Sequence, residues 1–190
     1  MSDLVEIRWH GRGGQGAVTA SELLAEAALH EGKYFQAFPD YGAERMGAPI
    51  RAYTRISSSP IKQHHQITEP DAVVVLDPTL LGVVDVAQGL DDDGLLLVNT
   101  PLSPAEVREK LHFHKGRVLT LDATRLALDT IKRNVTNTPM VGALLSAMEV
   151  VDKDTVEREL KHRFNTRMNS EAAERNLEAF KRASEAVREG

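Results

Sequence analysis

Apolar positions along this chain follow two rhythms in turn, short runs that suit strands and a three-to-four spacing that suits helices. Residues 4–9 read as a first strand, and residues 17–31 as a helix with Leu23, Leu24, Ala27 and Ala28 on its inward stripe. Gly32 is placed to end that helix, and residues 34–38 form a second strand. Residues 50–56 alternate apolar side chains with Arg51, Thr54 and Arg55, as a strand with one wet face would. Ser57-Ser58-Ser59-Pro60 reads as a hairpin turn with a polar return over 62–66, so an antiparallel pair is expected at a sheet edge. Residues 72–76 are a continuous apolar run, the mark of a strand buried on both faces, residues 95–98 are the next buried strand, and residues 118–121 make another strand. Helices are expected over 104–111, 125–131 and 140–151, with Gly142 and Ala143 allowing close packing in the last. Beyond residue 151 the chain is strongly charged. Val156, Leu160 and Phe164, then Leu177, Phe180 and Val187, recur at helical spacing and predict amphipathic helices laid against a surface.

Strand and helix therefore alternate, which predicts an α/β protein. The expected architecture is a three-layer α/β/α sandwich with a mostly parallel central sheet, mixed at one edge, and C-terminal amphipathic helices. At 190 residues, with no repeat and no low-complexity linker, the chain fits one domain, 1–190, with 151–190 packed on it as a charged helical tail. Its 28 acidic and 23 basic residues leave a net charge of −5, which argues against a general nucleic-acid surface. There is no cysteine, so the chain supplies no thiolate to an iron–sulfur cluster and no cysteine nucleophile. That composition fits a reducing cytoplasm. The start lacks the basic and apolar pattern of a signal peptide, and no window approaches a membrane span. A cytoplasmic protein without membrane contact is expected.

The densest chemistry lies at His10-Gly11-Arg12-Gly13-Gly14-Gln15-Gly16, between the first strand and the first helix. Glycines there admit positive φ and leave backbone N–H groups uncovered, and a helix opening from such a turn aims those groups and its dipole at an anion. Gly11, Gly13 and Gly16 also satisfy G-x-G-x-x-G, and Asp40 follows the second strand where a dinucleotide site would want its acid. A stand-alone NAD(P)-binding protein is thus one reading, and a tight turn with no ligand is another. Arg12 and Gln15, large and polar within the turn, weigh against the dinucleotide. Three strands end in polar residues, Asp77, Asn99 and Asp122, bordering the same crevice or merely capping helices. Residues 38–49, rich in Gly and Pro yet carrying Tyr41, Glu44, Arg45 and Met46, suit ligand binding or the docking of another chain, and docking is preferred. Seven histidines show no metal-ligand spacing, and no nucleophile elbow or Walker loop is present. No self-standing catalytic machinery is outlined.

Glu6-Ile7-Arg8-Trp9-His10-Gly11-Arg12-Gly13-Gly14-Gln15-Gly16-Ala17 resembles the opening of the gamma subunit of pyruvate:ferredoxin oxidoreductase (pyruvate synthase), in the 2-oxoacid:acceptor oxidoreductase family. Gln36-Ala37-Phe38-Pro39-Asp40-Tyr41-Gly42-Ala43-Glu44-Arg45-Met46-Gly47-Ala48-Pro49 resembles its second signature. The stretches 71–78 and 94–99 and Asn137-Thr138-Pro139-Met140 follow the same pattern. The resemblance implies a complex that converts a 2-oxoacid, coenzyme A and oxidised ferredoxin to acyl-CoA, carbon dioxide and reduced ferredoxin. Thiamine diphosphate, Mg and the iron–sulfur clusters are then expected on the alpha, beta and delta subunits, which would be this chain's partners, with ferredoxin reached through the complex. The chain would bind no cofactor alone and carry no catalytic residue. Its implied role is to assist assembly and to help form the coenzyme A site or close the active centre, with Arg12, Gly13, Gly14, Gln15, Gly16 and Arg45 near coenzyme A. Pure subunit contact by both motifs is the competing expectation. The order of residues 42–49 is similar to that of members acting on pyruvate and branched-chain 2-oxoacids.

Overall fold

The apolar runs of the second half and the first strand become the parallel centre of a seven-stranded sheet. The structure is a computed structural model and describes residues 3–40, 47–167 and 170–190. Strand β1, Val5–Arg12, pairs in parallel with β4, Ala72–Val75, which is followed outward by β5, Leu95–Asn99, and β6, Arg117–Leu121. On the other side of β1 lies β3, Pro49–Ser57, antiparallel to it, and beyond that the edge strand β2, Tyr34–Asp40. A two-residue strand, β7, Arg188–Glu189, closes the opposite edge antiparallel to β6. The spatial order is β2-β3-β1-β4-β5-β6-β7.

The expected hairpin after Ser57 is corrected: residues 62–66 form no strand, and β3 is sandwiched between β1 and β2. Lys62, Gln63, His64, His65 and Gln66 offer no apolar face to bury, whereas β2 carries Phe35, Ala37 and Phe38.

The helices are α1, Ala17–His30; α2, Pro104–Leu111; α3, Ala123–Thr130; α4, Asn137–Ala147; α5, Lys153–Arg167; and α6, Ser170–Ala186. Helix α2 opens with a full capping box between Ser103 and Glu106. Helix α4 begins three residues before the expected Met140, because Pro139 in a first turn loses no hydrogen bond that the helix would have made. Its Gly142 has the expected use. A methyl there would stand 2.3 Å from the Phe180 carbonyl oxygen, so the backbones of α4 and α6 touch.

The two faces of the sheet are covered unequally. Helices α1 and α4 lie on one face, with α3, α5 and α6 packed against them, and all five share a core with Ile7, Trp9, Val74 and Leu97. The tail residues Phe164, Ala179, Phe180 and Ala183 belong to that core. The other face carries α2 and two loop segments, 58–71 and 81–94, over Val73, Val75, Leu96 and Val98.

Under those loops β1 and β3 are polar although buried, while β2 is only partly covered. Arg55, fully buried, donates from Nε to Glu6 Oε1 (2.6 Å), from Nη1 to Gln36 Oε1 (3.2 Å) and from Nη2 to the His65 carbonyl (2.8 Å). Its guanidinium also lies over the Phe38 ring, 5.5 Å from the centroid. Arg8 donates to the carbonyls of Val86 and Gln88 and, from Nε, to His10 Nε2 at 3.1 Å.

Candidate functional site

Topology alone brings the two motif blocks to one end of the sheet. Strands β1 and β2 run the same way, so Arg12 and Asp40 end at the same side, and antiparallel β3 starts there. The register pairs Arg12 with Pro49 and Asp40 with Arg51. Parallel β4 delivers Asp77 to the same place. The glycine turn therefore faces both flanks of the second block. Residues 41–46, Arg45 among them, lie outside the described residues.

Within the turn, Gly14 (φ 89°) and Gly16 (φ 84°) occupy the left-handed region that glycine adopts without strain. Gln15 folds back on the strand end. Its Oε1 accepts from the Arg12 amide at 2.7 Å, and its Nε2 donates to Asp77 Oδ2 at 2.7 Å. Arg12 donates from Nε to the same Asp77 oxygen (3.1 Å), from Nη2 to Thr79 Oγ1 (3.0 Å) and from Nη1 to the Gly47 carbonyl (2.8 Å). Asp77 Oδ1 accepts from the Thr79 amide (2.8 Å) and hydroxyl (2.7 Å), capping the short 3-10 turn Pro78–Leu80. Burial alone would raise the Asp77 pKa. The hydrogen bonds from Thr79 and Gln15 and the charge of Arg12 outweigh it and hold the carboxyl below its ordinary value.

Gly16 also meets α4: a Cβ on it would stand 2.7 Å from Asn137 Nδ2, so the first residue of α4 seats the start of α1. By contrast, no heavy atom among the described residues lies within 4 Å of where a Cβ of Gly13 or Gly14 would be. Helix α1 opens from Gly16, and among the described residues no side chain caps its N-terminal N–H groups and no acid of its own first turn faces its positive dipole end.

Of the six residues expected near a ligand, Gly13 and Gly14 border open space, Gly16 is packed, and Arg12 and Gln15 are spent on holding the turn. Asp40 is tied to Arg51 Nη2 (2.7 Å) and accepts from the Tyr53 hydroxyl (3.2 Å). With β3 interposed it stands two strands, roughly 10 Å, to the side of β1. A ribose-binding acid belongs on the strand next to β1, so the dinucleotide reading fails on topology. Asp122 caps α3 by accepting from the Arg125 amide at 2.8 Å. Asn99 bridges the Leu76 carbonyl (2.8 Å) to Thr124 (3.0 Å). Both are structural, which leaves Asp77 as the strand-end residue that faces the turn. Thr79 joins the site without having stood out in the sequence, and Gly47 and Asn137 join it from stretches that stood out only by the resemblance. The signal for Thr79 was present, since Asp-Pro-Thr is a side-chain-capped turn.

Fold and site together define an α/β protein with an open, glycine-built turn at the C-terminal end of β1. The chain belongs to the pyruvate ferredoxin/flavodoxin oxidoreductase family, whose model matches residues 6–186, and it falls there as a gamma-type subunit of a multi-subunit oxidoreductase. It is 50% identical over 179 residues to the pyruvate/ketoisovalerate oxidoreductases common subunit gamma of Pyrococcus abyssi, covering 94% of this chain and 97% of that one. The crystal structure of the pyruvate oxidoreductase subunit PORC from Thermotoga maritima superposes with a TM-score of 0.88 at 44% identity, covering 100% of this chain and 99% of that one. The same fold recurs, at 19% identity and a TM-score of 0.78, within 31% of a longer chain, the 2-oxoglutarate:ferredoxin oxidoreductase of Magnetococcus marinus; 98% of this chain is covered. Among the described residues no helix is long and apolar enough to cross a membrane.

Proposed function

We propose that this subunit works in a complex that oxidatively decarboxylates pyruvate with coenzyme A to acetyl-CoA and carbon dioxide, reducing ferredoxin, and that its glycine turn helps bind coenzyme A at the active-site entrance. The uncapped start of α1 beneath the open space at Gly13 and Gly14 carries this reading. Coenzyme A is rich in phosphates, and a helix N-terminus with bare amides suits a phosphate. Thiamine diphosphate, Mg and the iron–sulfur clusters belong to the alpha, beta and delta subunits in this reading, in keeping with a chain that has no cysteine to offer a cluster. Oxoacid choice rests with those subunits as well. A gamma subunit common to pyruvate and ketoisovalerate oxidoreductases, as the Pyrococcus relative is named, does not select the oxoacid by itself.

The second reading, in which the turn docks a neighbouring subunit, is favoured by the engagement of Arg12 and Gln15 with Asp77. Gly13→Asp separates the two, because Gly13 has ordinary φ and room for a side chain. The carboxylate places there, without strain, a negative charge that repels the phosphates of coenzyme A and competes for the same amides. In the assembled complex, assayed by pyruvate- and coenzyme A-dependent dye reduction, the KM for coenzyme A should rise about tenfold or more, a difference of about 1.4 kcal/mol per tenfold. An unchanged KM in an intact complex defeats the coenzyme A reading. Loss of the other subunits on size exclusion supports docking instead.

A further inference from the structure

We infer that Asp77 is the positioning residue that sets the glycine turn, and that Arg12 serves as the tie from that turn to the second motif block rather than as a ligand contact. The inference rests on the coenzyme A reading of the turn for its functional consequence, while its geometry stands by itself. Asp77 is nearly buried and both its oxygens are used, one by Thr79 and the other by Arg12 and Gln15 together. The shared oxygen is what orients the Gln15 amide. With Nε2 drawn to Asp77, Oε1 must face the Arg12 amide, and that closes the turn between Arg12 and Gln15, where the Gln15 amide also donates to the Arg12 carbonyl at 3.1 Å. A reversed Gln15 amide would set two donors against each other at Arg12.

Arg12 takes part from the opposite side. Its charge is met by Asp77, and its Nη1 reaches the Gly47 carbonyl at 2.8 Å, the first described residue after the block 41–46. One carboxylate therefore holds the turn to the 3-10 turn after β4, and through Arg12 the entry to β3 is tied to both. Each bond is made by a different donor group, so the arrangement over-determines the position of the bare Gly13 and Gly14 amides.

Asp77→Asn is the near-isosteric test. Asparagine can keep one oxygen for Thr79 but then presents an N–H₂ group to two donors, Arg12 Nε and Gln15 Nε2. In the assembled complex the KM for coenzyme A should rise about tenfold, with kcat at saturating coenzyme A changed less than twofold. Hydrogen exchange at the amides of residues 12–16 should quicken by a similar factor. Gln15→Met, which deletes the same ring of bonds from its other side, should reproduce both effects and serves if Asp77→Asn does not fold. The reading and the inference fail separately. If Gly13→Asp raises the KM while Asp77→Asn and Gln15→Met alter neither KM nor exchange, the positioning role is overturned and the coenzyme A reading stands. Faster exchange with an unchanged KM in all three variants upholds the turn-setting role and overturns coenzyme A at the turn.

Discussion

His10 takes its hydrogen bond from Arg8 through Nε2, so it is held as the neutral tautomer with hydrogen on Nδ1. Burial, then the charges of Arg8 and Arg51, push its pKa down to about 3. Because the folded value lies below the ordinary 6.5, the unfolded chain binds the extra proton between those limits. The stability this confers is complete above about pH 6.5 and is lost as pH falls, by about 1.4 kcal/mol per unit. Unfolding free energies from urea titrations at pH 7 and pH 5 should therefore differ by about 2 kcal/mol more in the parent chain than in His10→Gln, whose amide oxygen can still accept from Arg8. Equal pH dependence in the two would mean that His10 titrates in the folded chain as it does in the unfolded one. At this scale the glycines of the turn were legible, because bare backbone at a strand–helix junction has few other uses. Asp77 was visible as a strand end, but not its partners, since Arg12 and Gln15 lie more than sixty positions away. Arg55 read as part of a wet strand face, and its burial depends on a loop that arrives from elsewhere in the chain.

Elements were read well where their cause is local and poorly where it is not. Continuous apolar runs located β4, β5 and β6, and the close packing expected of Gly142 is the contact between α4 and α6. Gly142→Ala must push Phe180 away and should destabilise the chain by about 1–3 kcal/mol, measured by urea unfolding. A neutral effect would show that the two helices can slide apart without loss. Strand pairing was different. A period of two reveals which face a residue occupies but not which strand lies beside it, so β3 was assigned to the wrong neighbour. Strand β7 has no apolar signature and was missed. It is held by Glu189, whose carboxylate pairs with Arg117 (2.5 and 3.0 Å), and by Arg188, which donates to the Pro101 (2.9 Å) and Leu102 (2.8 Å) carbonyls.

For the molecule as a whole, Trp9 is a convenient reporter: it is the chain's one tryptophan, fully buried in the core that α6 also lines. If residues 1–190 are one cooperative unit, its fluorescence and the helical circular dichroism should follow a single urea transition. Two separated transitions would make 151–190 an independent piece. The unequal covering of the sheet has a further bearing on how this molecule fluctuates. When the loops over β1, β2 and β3 part, water finds guanidinium, carboxylate and imidazole groups that it can solvate; beneath the helices it would find bare hydrocarbon. Opening the loop side over these groups takes less free energy than opening the helical side. Breathing is therefore uneven, and the glycine turn at the C-terminal end of β1 is carried on a stiff helical back.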